Sequence, residues 1–185
     1  MASGNLIKPK GFIADVSIEA DVLALFEYAI SEMDGINVLI NNAGIGGFAK
    51  LVDATTADFQ KLWKINVRGL VMAGRATAQY FIIQDSGHII KIGSTAAQLG
   101  FAQGSAYVTS KFAVSELTEC WRTELRSPNV RVMRINPNEV LTDFSTKLGM
   151  PQQNKDGKLN LGQIAHKIEA MLGMANVGFT PDAAV

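Results

Sequence analysis

Cysteine is nearly missing from this chain: of 185 residues only Cys120 carries a thiol, which excludes an internal disulfide framework and a multi-cysteine metal site. Histidine is almost as scarce. His88 and His166 stand far apart without a ligand-spaced companion, so surface or hydrogen-bonded structural roles fit them better than metal ligation, and no metal site is expected. Net charge is lacking as well, with 17 basic residues against 17 acidic, so no overall field draws the chain to nucleic acid or to an anionic membrane. No apolar run approaches the roughly 18 residues of a membrane span, and Met1 to Lys10 contains no stretch of signal-peptide length. These absences point to a small-molecule partner and to a reducing, cytoplasmic setting.

What the chain has is apolar content, 48% of its residues, enough to bury one real core. Short apolar runs alternate with longer stretches of helical period from Gly11 onward, which marks an α/β class built on a parallel sheet covered on both faces. Gly11 to Ala14 reads as a strand. Ile18, Val22, Leu25, Phe26, Ala29, Ile30 and Met33 then follow at spacings of three and four, as a one-sided helix with Ser17 as its N-cap. Strands are expected at Asn37 to Ile40, His88 to Ile92 and Val130 to Ile135. Helices are expected over Ala57 to Ile83, broken near Asn66 to Gly69, over Gly104 to Leu125, and over Leu161 to Leu172. An irregular stretch runs to about Asn160, and a last extended piece begins near Val177. No repeat or linker divides the chain, so residues 1–185 form one domain.

Tyr107 and Lys111 lie four apart on an expected helix, one turn apart on a shared face. A phenol titrating near pH 10 becomes a useful acid or base at neutral pH only if a nearby ammonium favours its anion. A fall of three units takes about 4 kcal/mol. A packed tyrosine beside a solvated lysine explains the same spacing. Ser94 follows the strand ending at Ile92 and so belongs at the carboxyl edge of the sheet, where open α/β folds bind ligands, although turn residues are often serine too. Asn41-Asn42-Ala43-Gly44 closes the preceding strand, its amides able to pin backbone and its small residues able to admit a ligand; an ordinary turn has the same composition.

Taken in order, Asp15-Val16, Asn41-Asn42-Ala43-Gly44, Asn66, Ser94, Tyr107-x-x-x-Lys111 and Asn136-Pro137 through Thr142 resemble the short-chain dehydrogenase/reductase family, and the resemblance runs from Gly11 over nearly the whole chain. It implies a Rossmann-like doubly wound sheet and a hydride transfer between NAD or NADP and a ketone or secondary alcohol. Tyr107 would be the general acid/base, Ser94 would polarise the substrate carbonyl, and Lys111 would bind the nicotinamide ribose and lower the tyrosine pKa. Asn66 would hold a water in a proton relay to Lys111. Asp15 and Val16 would meet the adenine, Asn42, Ala43 and Gly44 the cofactor ribose, and Pro137, Val140 and Thr142 the nicotinamide carboxamide.

The chain departs from that pattern at its start, where members carry a strand and a Gly-rich turn that seats the pyrophosphate on a helix N-terminus. The first βαβ unit is therefore expected to be absent, leaving a truncated Rossmann domain. Either this is a fragment of a longer product, or the strand Gly11 to Ala14 shifts across the gap to pair with Asn37 to Ile40. The 185-residue polypeptide is expected to bind dinucleotide poorly. Gly44-Ile45-Gly46-Gly47-Phe48-Ala49 spells the phosphate fingerprint, but no helix opens there and no acidic residue ends a strand about 20 residues later. Asn138 replaces a usual glycine and would tolerate a positive φ. Substrate contacts are expected from Phe144 to Asn160, which name no substrate; a reductase resembling those for 3-oxoacyl thioesters is one possibility. Phe59, Trp63 and the apolar positions near Trp121 suit either core packing or the helix faces through which family members form homodimers and homotetramers. An inactive homologue serving as a binding or assembly subunit is the alternative function.

Overall fold

The computed structural model describes residues 8–149, 157–175 and 179–185. Its elements are α1 (Glu19–Met33), β1 (Val38–Asn41), α2 (Thr56–Leu62), a π-helical segment (Trp63–Gly69), α3 (Leu70–Gln84), β2 (Gly87–Ile92), a 3₁₀ turn (Thr95–Ala97), α4 (Ser105–Glu124), β3 (Val130–Asn136), α5 (Phe144–Lys147), α6 (Leu161–Gly173) and β4 (Asp182–Ala184). The four strands pair in the order β1-β2-β3-β4, all parallel. Helices connect each strand to the next, so the expected α/β class holds, with helices on both faces.

Alternation along the strands sorts the core into two layers. Ile89 and Val132 point to one face and pack with Ile36, Phe81, Leu125 and Val130 against residues of α1, α3 and α4. Their neighbours Ile90 and Met133 point to the other, where Ile135, Met171 and Ala183 join them beneath α6. Adjacent apolar pairs, Ile89-Ile90 in β2 and Val132-Met133 in β3, occur because both faces are covered. Among the described residues no helix is long and apolar enough to cross a membrane.

Three expectations are corrected. Gly11 to Ala14 forms no strand, and β1 pairs with β2 alone, so no shift across a gap takes place. Ile13 is fully exposed, and a strand with no ladder partner cannot satisfy its backbone groups except in water. Ser17 is not the cap of α1: Ile18 holds that position without a side-chain bond, while the Ser17 N–H donates to Asp15 Oδ1 at 2.8 Å. The helical stretch is not broken at Asn66 to Gly69 but widens there into π-helical turns and continues. Gly69 is small for packing rather than for ending a helix, since a β-carbon there would lie 2.7 Å from the Val16 carbonyl oxygen. The extended piece begins at Asp182; Val177 lies outside the described residues, as do residues 150–156 of the expected substrate loop.

Candidate active site

The carboxyl ends of β1, β2 and β3 open onto one cavity of about 860 Å³. Ser94, separated from the end of β2 by Gly93, caps the 3₁₀ turn, its Oγ accepting the Ala96 N–H at 3.1 Å. Tyr107 and Lys111 reach the same cavity from the first turns of α4. The Ser94 hydroxyl and the Tyr107 phenol line this cavity together. A serine, a tyrosine and a lysine separated in sequence thus share one opening.

Burial pushes the Tyr107 phenol above its ordinary value, and the neighbouring Ser94 hydroxyl only partly opposes this. The Lys111 Nζ sits 5.8 Å from the centre of the phenol ring and donates to the Ile92 carbonyl oxygen at 3.1 Å. Burial brings Lys111 itself down to about 8. The protein alone therefore holds a protonated phenol beside an ammonium that is easily neutralised.

Asn66 is buried at 3% exposure, and its side chain is already engaged. Its Oδ1 accepts the Ile45 N–H at 2.8 Å; its Nδ2 donates to the Ile45 carbonyl at 2.9 Å and to Ser110 Oγ at 3.0 Å. The carboxamide ties the loop after β1 to the helix that carries Tyr107. Any relay from it to Lys111 would run through water rather than a direct bond.

Of the residues assigned to the cofactor, Asn42, Gly44, Pro137, Val140 and Thr142 line the cavity together with Tyr107 and Lys111. Val140 is held by a parallel bridge to Leu159, just before α6. Ala43, Asp15 and Val16 do not line it. The Asp15 carboxylate accepts the Ser17 N–H, and Val16 packs on Gly69. Two buried polar atoms at the strand ends, Asn41 Nδ2 and Asn136 Oδ1, lack a protein partner. An apolar wall of Ile92, Pro137 and Val140 beside a phenol and an ammonium fits a nicotinamide and its ribose. No Gly-rich phosphate turn opens a helix among the described residues, so the pyrophosphate half has no counterpart in the cavity.

Asn138 lies outside the positive-φ region and uses its Oδ1 to accept from Thr95 Oγ1 at 3.2 Å, so the missing glycine is accommodated without backbone strain. Phe48, Phe101 and Gln103 also line the cavity and escaped the sequence reading. Nothing in a loop's composition marks a phenylalanine as lining a site, although Gln103 takes the left-handed region at φ 67.

Comparison with known proteins agrees with this geometry. Residues 7–153 match the family described as short chain dehydrogenase. The chain is 37% identical over 135 residues to sepiapterin reductase of Chlorobaculum tepidum, covering 73% of this chain and 55% of that protein. It is 33% identical over 138 residues to 7alpha-hydroxysteroid dehydrogenase of Escherichia coli, covering 75% and 54%. Serine dehydrogenase in its closed form complexed with NADP+ superposes with a TM-score of 0.85 at 26% identity, over 93% of this chain and 73% of that one. NAD+-bound xylitol dehydrogenase does so at 0.82 and 25%, over 94% and 76%. The chain spans about half the length of the curated relatives it matches. Family match, relatives and site geometry together show that this chain belongs to the short-chain dehydrogenase/reductase family.

Proposed function

We propose that this chain carries the catalytic half of an NAD- or NADP-dependent oxidoreductase that interconverts a ketone and a secondary alcohol. The observation that carries the reading is the convergence of Ser94, Tyr107 and Lys111 on one cavity at the carboxyl edge of the sheet. Relatives named as dehydrogenases and reductases, and similar structures titled with NAD or NADP bound, support it.

When bound, the dinucleotide supplies or accepts the hydride. Lys111, with Asn42 and Gly44 nearby, would hold the nicotinamide ribose, and Pro137, Val140 and Thr142 the carboxamide end. The Ser94 hydroxyl donates to the substrate oxygen and orients it. Tyr107 donates its proton to that oxygen as the alcohol forms; in the reverse direction the phenolate takes the proton back. A phenol kept protonated by burial suits the reductive direction. Oxidation requires the charge of Lys111 and of the oxidised ring to stabilise the phenolate. Asn66 acts by fixing the loop after β1 against α4, and a water beside it could pass protons toward Lys111.

A cytoplasmic setting fits the single cysteine. Trp63 and Phe59, 52% and 37% exposed around the α2 to π-helical junction, suit assembly as a homodimer or homotetramer. The test is consumption of NADH and NADPH with a panel of ketones, comparing Ser94→Ala. A loss of roughly 100-fold in kcat/KM is expected; turnover within threefold of the parent would remove serine from the mechanism.

A further inference from the structure

The cavity is lined, besides Pro137 and Val140, by aromatic rings from three separate segments. Phe48, in the loop after β1, meets the Tyr107 ring edge-on, with centroids 5.4 Å apart at 73°. Phe144, on α5, approaches Tyr107 at 5.9 Å, and Phe101 backs Phe48 at 5.8 Å. Two glycines make these positions available. A β-carbon on Gly46 would lie 2.5 Å from Phe144 Cζ and 2.8 Å from Leu148 Cδ1, and one on Gly104 would lie 2.7 Å from Phe101 Cε2. The rings are therefore seated on backbone that only glycine leaves open, as a shaped wall beside the reacting hydroxyls.

Charge is sparse in the same cavity. Among the described lining residues the charged side chains are Lys111 and Glu139. Glu139 is paired with Lys158 at 2.6 Å, and Lys111 is the group assigned to the ribose. No described cation is left to meet an anionic substituent on the substrate. An unpaired carboxylate or phosphate entering such a wall loses hydration without compensation, whereas a flat hydrocarbon body gains contact with three rings.

We infer that, within the oxidoreductase reading on which this rests, the substrate is a neutral ketone or secondary alcohol carrying an aryl or comparably flat hydrocarbon group next to the reacting carbon. Thioesters of phosphorylated carriers, oxo acids and sugar phosphates are disfavoured.

The test uses 1-phenylethanol and mandelate, which share the ring and the carbinol and differ by methyl against carboxylate. Both are titrated into the ¹⁵N-labelled 185-residue chain with excess nicotinamide mononucleotide to engage Lys111. Saturable amide shifts at Gly46, Phe48 and Phe144 are expected at a concentration at least tenfold lower for 1-phenylethanol. Phe144→Leu and Phe48→Leu, checked for an unchanged fold by circular dichroism, should each weaken that binding fivefold or more. Equal or tighter binding of mandelate, no saturable shift with either compound, or indifference to both substitutions overturns the inference. The function reading fails on a different result, the absence of reduction of any ketone. Selective binding of 1-phenylethanol without turnover removes the reaction and leaves the ligand class standing, while equal turnover of neutral and anionic ketones does the reverse.

Discussion

Lys91, the penultimate residue of β2, has no accessible surface, its Nζ 3.3 Å from the centre of the Trp121 ring and without a hydrogen-bond partner. Burial, and then the charges of Arg122 and Arg134, bring its pKa down to about 6, against smaller opposing contributions from Cys120 and Glu119. The indole face favours the cation and recovers part of the lost hydration. Below about pH 6 both folded and unfolded chains hold this proton. Between about pH 6 and the ordinary lysine value the unfolded chain binds it and the folded chain does not, so this lysine makes stability rise with pH across that window. Lys91→Met should raise stability by about 2 kcal/mol at pH 7, as an unpartnered buried polar group is removed. It should also flatten the pH dependence between 6 and 9, read from urea unfolding midpoints.

Gly93 joins β2 to Ser94, and its N–H donates to the Ile135 carbonyl at 2.7 Å. A β-carbon there would overlap Asn136 Oδ1, the side chain of a residue only 2% exposed. Gly93→Ala should therefore cost about 1–3 kcal/mol in urea unfolding through overpacking, and should displace Ser94 enough to reduce turnover in the same variant.

The cavity gathers residues assigned to the nicotinamide end but not Asp15 or Val16, assigned to the adenine. For this 185-residue chain, reduced nicotinamide mononucleotide and NADH should bind within about threefold of each other by calorimetry. A 100-fold advantage for NADH would place the adenosine on the protein after all.

Lys111 titrates at about 8, so its ammonium is lost as pH rises through that value. Mononucleotide affinity should be highest below pH 8 and decline above it, and Lys111→Met should remove the decline along with most of the affinity. Calorimetric titrations at pH 6.5 and 9.5 decide this.

Much of this arrangement was legible beforehand because it rests on periodicity. Ile89 and Ile90 face opposite core layers as a strand covered on both faces requires, and Tyr107 and Lys111 open into one cavity as their spacing on α4 suggests. What stayed hidden depends on tertiary context. Gly11 to Ala14 has the apolar content of a strand but no partner beside it, and pairing is not a local property. Asn66 and Gly69 look like helix breakers, yet they serve contacts with Ile45 and Val16 on other segments. Lys91 sits in an otherwise apolar run with nothing local to reveal its burial against Trp121. The direction of the Tyr107 shift follows from how deeply the phenol is buried, which spacing does not specify.

The central claim, that the Tyr107 hydroxyl moves the proton during hydride transfer, is tested most directly by Tyr107→Phe. The ring and its packing on Phe48 and Phe144 are preserved, so thermal stability should change little while only the hydroxyl is lost. Single-turnover reduction of a ketone by NADPH should slow by about 10²–10⁴-fold with mononucleotide affinity unchanged. A rate within threefold of the parent, on a protein of unaltered fold, would contradict the account.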